Sequence, residues 1–270
     1  MEKRSGIITL TTDFGLIDPY VAMMKGVILS INPKAIIIDI THQIQVGSIL
    51  TASNLIREAF HFFPMGTIHV GVVDPTVGSQ RRLMGIEAGG HFFIGPDNGL
   101  FGSIIKDHQD ARIIKLENKK YFLPHLTYTF HGREVFAPIA AHISSGVPLA
   151  EMGPDIIDPV FLQAPTPHKR GNALYGQVTR VDNFGNIITN INRHDLQHFV
   201  GSAEPVIELG HIRITGINRI YADAESGEVL ALINSSNLLE LAVNLGRADK
   251  YIGIDPEQLI GVEVKISARE

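Results

Sequence analysis

An apolar run, Thr67 to Val73, ends on a carboxylate, Asp74, and is stopped at once by Pro75. The run reads as a strand buried on both faces, which requires helices above and below it and favours a parallel sheet. Proline ends the ladder and Gly78 loosens the backbone. Arg81 and Arg82 then arrive seven and eight positions after Asp74. In open α/β sheets, ligands bind beyond the carboxyl ends of the strands, where this loop falls. The loop offers a negative and a positive charge side by side. Taken alone, it also fits a strand-end Asp capping its own loop beside two solvated arginines.

The rest of the N-terminal half repeats the pattern. Ile7 to Thr12 reads as a strand closing on Asp13-Phe14-Gly15. Asp18-Pro19 opens an amphipathic helix that runs to about Asn32-Pro33. Ala35 to Ile40 is β-branched almost throughout and predicts a fully buried strand, with Asp39 and His42 at its end. Ile49 to Phe63 recurs with helical spacing until Pro64. Met84 to Ala88 and Phe92 to Ile94 predict a hairpin around Gly89-Gly90, and Arg112 to Leu116 another strand. Phe130-His131-Gly132-Arg133 precedes a helix from about Val135 to Ser145. The alternation predicts a Rossmann-like, mainly parallel α/β domain over residues 1–165.

Prolines at 148, 154, 159, 165 and 167 mark a change, and residues 166–173 read as a linker. Beyond it, residues 174–270 are short and strand-like: Tyr175 to Val181, Ile187 to Asn190, Val206 to Glu208, His211 to Thr215, Val229 to Ile233 and Val262 to Ile266. Their spacing predicts a small C-terminal β-barrel-like domain.

Composition narrows the function class. The absence of Cys excludes thiolate metal sites and a Cys nucleophile and fits a reducing compartment. A net charge of −5 with dispersed Lys and Arg leaves no footprint for nucleic acid or an anionic membrane. The best apolar helix, Tyr20 to Ile31, carries Lys25 and falls short of the ~20 residues a membrane span needs. No secretory h-region is visible, so a soluble cytoplasmic protein is expected.

Asp13, Asp39 and Asp74 all fall at strand ends, with His42 and His131 as possible neighbours. Such a set suits a dinuclear metal site, as in an α/β phosphoesterase. The chain lacks the supporting motifs, however: there is no H-E-x-x-H, no G-x-S-x-G and no phosphate-cradling glycine loop. In the second domain, Asp182-Asn183-Phe184-Gly185-Asn186 and Asn234-Ser235-Ser236-Asn237 are each compatible with ordinary turn chemistry.

Read in series, Thr11-Thr12-Asp13-Phe14-Gly15, Asp39-Ile40-Thr41-His42, Val73-Asp74-Pro75 through Arg81, Thr129-Phe130-His131-Gly132-Arg133, Asp182 to Asn186 and Asn234-Ser235-Ser236 are more specific than any one of them. The sequence resembles the S-adenosyl-L-methionine hydroxide adenosyltransferase (SAM hydrolase) family, relatives of the fluorinating and chlorinating enzymes. The resemblance runs from Ile7 to about Val264.

It implies hydrolysis of SAM to adenosine and L-methionine, with no cofactor and no metal, by a homotrimer that binds substrate between subunits. It implies a water-activating set at Asp74, Arg81 and His131, and a ribose-diol carboxylate at Asp13. Asp182 is implied on the methionine amino group, Asn186 on adenine and Ser235 on the methionine carboxylate, the last site extending to Glu240 and Val243. Thr76 departs from the family loop, which carries Gly there. Halogenating relatives have a hydroxyl or aromatic halide pocket in place of the charged set. Asp74, His131 and Gly132 therefore favour water: a carboxylate repels halide, and glycine has no hydroxyl to offer one. The rival readings are a SAM-dependent halogenase, a metal-dependent phosphoesterase, and a sensor that binds SAM or adenosine without turning it over.

Overall fold

The computed structural model describes residues 4–269 and divides into two compact units between Gln163 and Ala164. The first is built in chain order from β1 (Ile7–Thr12), α1 (Tyr20–Ile31), β2 (Ile36–Thr41), α2 (Ile49–Ala59), β3 (Ile68–Val72), β4 (Leu83–Ala88), β5 (His91–Pro96), α3 (Gly102–Asp107) and β6 (Arg112–Lys115). A π-helical turn, Gly132–Phe136, then runs directly into α4 (Ala137–Ser144). The sheet order is β2-β1-β3-β5-β4-β6. The first four strands are parallel, and the β4–β5 hairpin adds antiparallel pairing at the far side.

Apolar faces decide the layering. Ile8, Leu10, Val70 and Ile94 pack on one face against Met24 and Ile28 of α1 and Ile139 and Ile143 of α4. On the other face, Met84, Ile86 and Phe93 meet Ala52 and Ile56 of α2 and Ile104 of α3. β3 is buried along its whole length, as its sequence requires. The direction in which strands are added reverses at β1: β2 lies on one side of it and β3 on the other, all three parallel. The carboxyl ends of β1 and β3 therefore border a topological switch point, the usual place for a ligand crevice.

The Ala35 to Ile40 run is not fully buried. β2 is the sheet edge, with Ile36 57% and Ile38 37% exposed. Apolar content records what a strand is able to cover, whereas burial depends on a neighbour, and an edge has only one. The helix expected from Val135 begins earlier, through the π turn.

In the second unit, β7 (His168–Arg170) lies within the stretch expected as linker and pairs with β8 (Ala173–Val181). β9 (Ile187–Asn192), α5 (Arg193–Val200), β10 (Glu204–Leu209), β11 (Ile212–Thr215), β12 (Val229–Ile233), β13 (Leu238–Val243) and β14 (Glu263–Arg269) follow. The antiparallel order is β11-β10-β14-β8-β9-β13-β12, and a bridge from Asn218 to Leu232 nearly closes it into a barrel. Val178, Ile187, Ile207, Leu241, Val264 and Ile266 fill the interior.

A buried imidazole pair sits within the first sheet. The Thr9 hydroxyl lies 2.8 Å from His69 Nδ1, and His69 Nε2 lies 3.2 Å from His91 Nδ1. Burial and the neighbouring His91 push His69 down from its ordinary 6.5 to about 3. His91 is also lowered, by burial and then by His61 and His108. The unfolded chain takes up these protons near pH 6.5 while the folded chain refuses them. Stability is therefore full above pH 6.5 and falls as the pH drops toward 3, by ~1.4 kcal/mol per pH unit for His69 alone. Thermal unfolding between pH 7 and 4.5 is expected to show this slope in the wild type and a shallower one in His69→Gln. Equal slopes would remove His69 from the acid sensitivity.

Candidate functional site

The loop after β3 turns its charged side chains inward. Arg81 Nε donates to Asp74 Oδ2 at 2.6 Å, and its Nη2 approaches the same oxygen. The two side chains are only 7% and 4% exposed. Arg81 Nη2 also lies 2.9 Å from His131 Nδ1. Residues 74, 81 and 131 thus form one hydrogen-bonded set at the carboxyl end of a central strand. Arg81 Nη1 is buried and finds no hydrogen-bond partner among the described residues. The next residue has a different task. Arg82 Nε donates to Asp97 Oδ2 at 2.7 Å and its Nη1 to Asp158 Oδ1 at 2.6 Å, which ties the loop to the scaffold.

Loop geometry follows from two residues. Gly78 has φ +80°, and a Cβ built there would stand 2.2 Å from the Tyr128 carbonyl oxygen. Glycine is what lets the Asp74 loop lie against the segment that leads to His131. Thr76 is not left-handed, so the glycine missing there costs the loop nothing; its hydroxyl donates to Asp74 Oδ1 at 3.3 Å.

His131 reveals its tautomer. A guanidinium only donates, so Nδ1 accepts from Arg81 and the ring proton sits on Nε2. Burial, then the charge of Arg81, lowers its pKa. Asp74, Glu134 and a backbone hydrogen bond to Thr127 oppose the shift without cancelling it. The neutral ring is held by Arg81 at Nδ1.

Asp13 accepts from the Gly47 N–H at 2.9 Å. A Cβ on Gly47 would lie 3.9 Å from Pro75, so the loops bearing Asp13 and Asp74 meet there. Asp39 is committed elsewhere, to Lys25 at 2.5 Å and His42 Nε2 at 3.1 Å. His42 Nδ1 in turn lies 2.8 Å from the Thr12 hydroxyl. The three strand-end carboxylates are thus separately engaged, and no group of three or more potential metal ligands occurs among the described residues.

The second unit carries the other expected residues. Asp182 Oδ1 accepts from the backbone of Phe184 and Asn186, and its Oδ2 from the Asn186 amide at 3.0 Å. The tight turn thereby draws residues 182 and 186 together and exposes the Phe184 ring. Ser235 is exposed at the β12–β13 turn. Glu240 is buried, its oxygens accepting from Tyr221 Oη at 2.7 Å and Asn234 Nδ2 at 3.1 Å. Burial, then the Glu240 bond, pushes Tyr221 up to about 12. Val243 packs in the barrel core.

Some features escaped the sequence reading. Phe14, Tyr20 and Phe130 stand edge to face, with centroids 5.3–6.0 Å apart. A Cβ on Gly132 would sit 3.3 Å from Phe130 and Met24. Tyr221 and Glu134 carried no motif signal of their own beyond adjacency.

Known proteins are similar to this chain along most of its length. Residues 8–153 match the SAM hydroxide adenosyltransferase N-terminal domain and residues 176–261 its C-terminal domain. A protein of Salinispora arenicola named (R)-S-adenosyl-L-methionine hydrolase is 33% identical, covering 97% of each chain. A fluorinase of an Actinoplanes species is 28% identical over 88% of this chain and 91% of its own. A solved structure of a conserved protein from Thermotoga maritima superposes with a TM-score of 0.88 at 32% identity, covering 96% of this chain and 99% of that one. With both domain matches in order on the strand-end loops and turns just described, the chain belongs to the SAM hydroxide adenosyltransferase family.

Proposed function

We propose that this protein hydrolyses S-adenosyl-L-methionine to adenosine and L-methionine, with the (R)-sulfonium epimer as substrate, the form for which the Salinispora relative is named. The observation that carries the proposal is the buried set of carboxylate, guanidinium and neutral imidazole, with one guanidinium nitrogen left unpartnered. A sulfonium needs no help to leave, since it departs as a neutral thioether. The difficulty lies in the nucleophile, because free hydroxide at pH 7 lies roughly 12 kcal/mol above water. In the proposed step, water attacks the ribose C5′ in line with sulfur. The C5′–O bond forms as the C5′–S bond breaks, sulfur keeps the electron pair, and the water proton passes to Asp74 and on to solvent.

Asp74 is the proton acceptor in this proposal because the lone-pair nitrogen of the neutral His131 ring, Nδ1, is already taken by Arg81. His131 then fixes Arg81, and Arg81 stabilises the developing hydroxide. Clamping water and carbon together supplies part of the rate. Asp13 takes the ribose diol, Asp182 the methionine amino group, Asn186 adenine and Ser235 the methionine carboxylate. Glu240 contributes by holding Tyr221 and Asn234, and Val243 by supporting that wall from the core. The working form is proposed to be a cytoplasmic homotrimer that needs no metal.

Incubation of the purified protein with (R)- and (S)-substrate, followed by chromatography, tests this. Adenosine and methionine are expected in equimolar amounts, faster from the (R) epimer, undiminished by chelators and without halogenated nucleoside when chloride is present. Ligand returned intact indicates a sensor, 5′-chloro-5′-deoxyadenosine a halogenase, and loss of activity on chelation a metal enzyme; each would overturn the proposal.

A further inference from the structure

We infer that Asp97 and Asn98, the two residues that leave β5, are positioning residues for the hydrolytic pair: they grip both ends of the loop that carries Asp74 and Arg81, and so set the spacing of those two side chains. The catalytic consequence rests on the hydrolase reading; the geometry does not. The sheet order places β5 between β3 and β4. β3 runs parallel to β5, and β4 runs antiparallel to it. The chain leaving β3 must therefore pass over the carboxyl end of β5 to enter β4, and residues 73–82 form that arch. Asp74 is the first residue inside one foot of the arch, and Arg81 the first inside the other.

Each foot is held by a side chain at the exit of β5. At the entry, the ladder between β3 and β5 ends at the Val70–Ile94 pair. Val73 lies beyond it and is fully buried, so its carbonyl needs a donor from elsewhere. Asn98 supplies one, its Nδ2 donating to Val73 O at 2.9 Å. The amide has only one workable orientation. Its Oδ1 accepts from the Leu100 N–H at 3.2 Å, a group that only donates, whereas the Val73 carbonyl only accepts.

At the other foot, Arg82 stands one step beyond the Leu83–Pro96 pair of the β4–β5 hairpin. The Asp97 N–H donates to Arg82 O at 3.0 Å, and Arg82 Nε donates back to Asp97 Oδ2 at 2.7 Å. Asp97 Oδ1 accepts from the Val160 N–H at 2.8 Å, so both oxygens of a side chain only 1% exposed are in use. β5 itself is buried along its whole length, which makes its exit a fixed reference. Consecutive residues of one strand end thus hold Val73 and Arg82, the immediate neighbours of Asp74 and Arg81. The 2.6 Å contact from Arg81 Nε to Asp74 Oδ2 closes between those two feet.

The test uses the full-length protein. Asn98→Asp keeps an oxygen for the Leu100 N–H, and with it the turn, but sets a second acceptor against the Val73 carbonyl. A fall in kcat of about 10- to 30-fold is expected, with KM changed less than about twofold, because the reacting groups are displaced while the substrate contacts stay. The NMR signal of the Arg81 Nε–H, identified by its loss in Arg81→Lys, reports the pair directly. Its exchange with solvent is expected to be slow in the wild type and at least about tenfold faster in Asn98→Asp.

Should Asn98→Asp fail to fold, Asp97→Asn tests the other foot, since its amide leaves one oxygen where two are in use. The same faster exchange is expected there, with kcat down about five- to tenfold. A folded Asn98→Asp with wild-type kcat and unchanged Arg81 exchange overturns the inference, as does an unaffected Asp97→Asn. A fall in kcat without faster exchange places the loss outside the pair and overturns it too. If the wild type releases no adenosine at all, the hydrolase reading fails, while the exchange comparison still decides whether β5 holds the pair.

Discussion

Asp74→Asn is expected to slow adenosine release about 1,000-fold while leaving substrate affinity within a few-fold of wild type. The magnitude lies within the ~10²–10⁴ that a positioned acid–base group contributes. Asparagine keeps an oxygen where Arg81 donates at 2.6 Å, so the loop retains its outline, but the amide cannot take a proton from water. A stability cost accompanies it. Arg81 is 93% buried, and a guanidinium facing a neutral amide is less well compensated, by ~1–3 kcal/mol. Single-turnover chromatography, calorimetric titration with substrate and thermal unfolding separate the three effects. Turnover at the wild-type rate in the asparagine variant would take Asp74 out of the chemistry, however well the geometry fits.

Gly78→Ala is expected to do nearly as much damage from a residue that touches no reacting atom. One methyl group there meets a φ of +80° and a carbonyl oxygen 2.2 Å away. The oxygen belongs to the backbone of Tyr128, so no side chain is able to rotate aside, and the loop or the segment must shift. Left-handed strain costs ~1–3 kcal/mol. The activity loss is expected to be larger in proportion, at least 100-fold, because a displacement of about 1 Å between reacting groups costs that much. The shift pulls Arg81 and His131 apart, since one lies on each side of the contact. Circular dichroism and melting establish that the variant folds, and kcat measures the displacement. A variant that melts low yet turns over normally would show that the contact serves stability alone.

How much of this was legible in the sequence differs from residue to residue. Asp74 and Arg81 are seven positions apart on one loop, so their pairing followed from local spacing. His131 lies 50 residues beyond Arg81, and nothing in periodicity could bring it near; only the ordered series of motifs did so. β3 was readable because an apolar run buried on both sides is what its composition requires. β2 has the same composition and misled, because a strand's position in a sheet is set by connections that its own residues do not record.

α5 escaped because Leu196 is its one buried side chain, which leaves almost no apolar stripe to detect. Nothing in the sequence around Glu134 sets it apart from a solvated carboxylate, yet it is wholly buried. Its burial arises from a turn wider than the helical period, and sequence periodicity assumes that period throughout. The roles of Asp182 and Asn186 stayed ambiguous for another reason: the same hydrogen bonds that fold their turn draw the two side chains together.

The wide turn at 132–136 makes chain length itself part of the candidate site. An ordinary helix advances about 100° per residue, and Ile139 and Ile143 anchor the rest of the helix in the core. Removing Arg133, the one residue of the turn that is not buried, would leave the helix beyond it unbroken and its core packing in place. The imidazole at its head, however, would swing through more than a quarter of a circle, away from the guanidinium. At this point the protein tolerates exchanges of side chain more readily than a change of count.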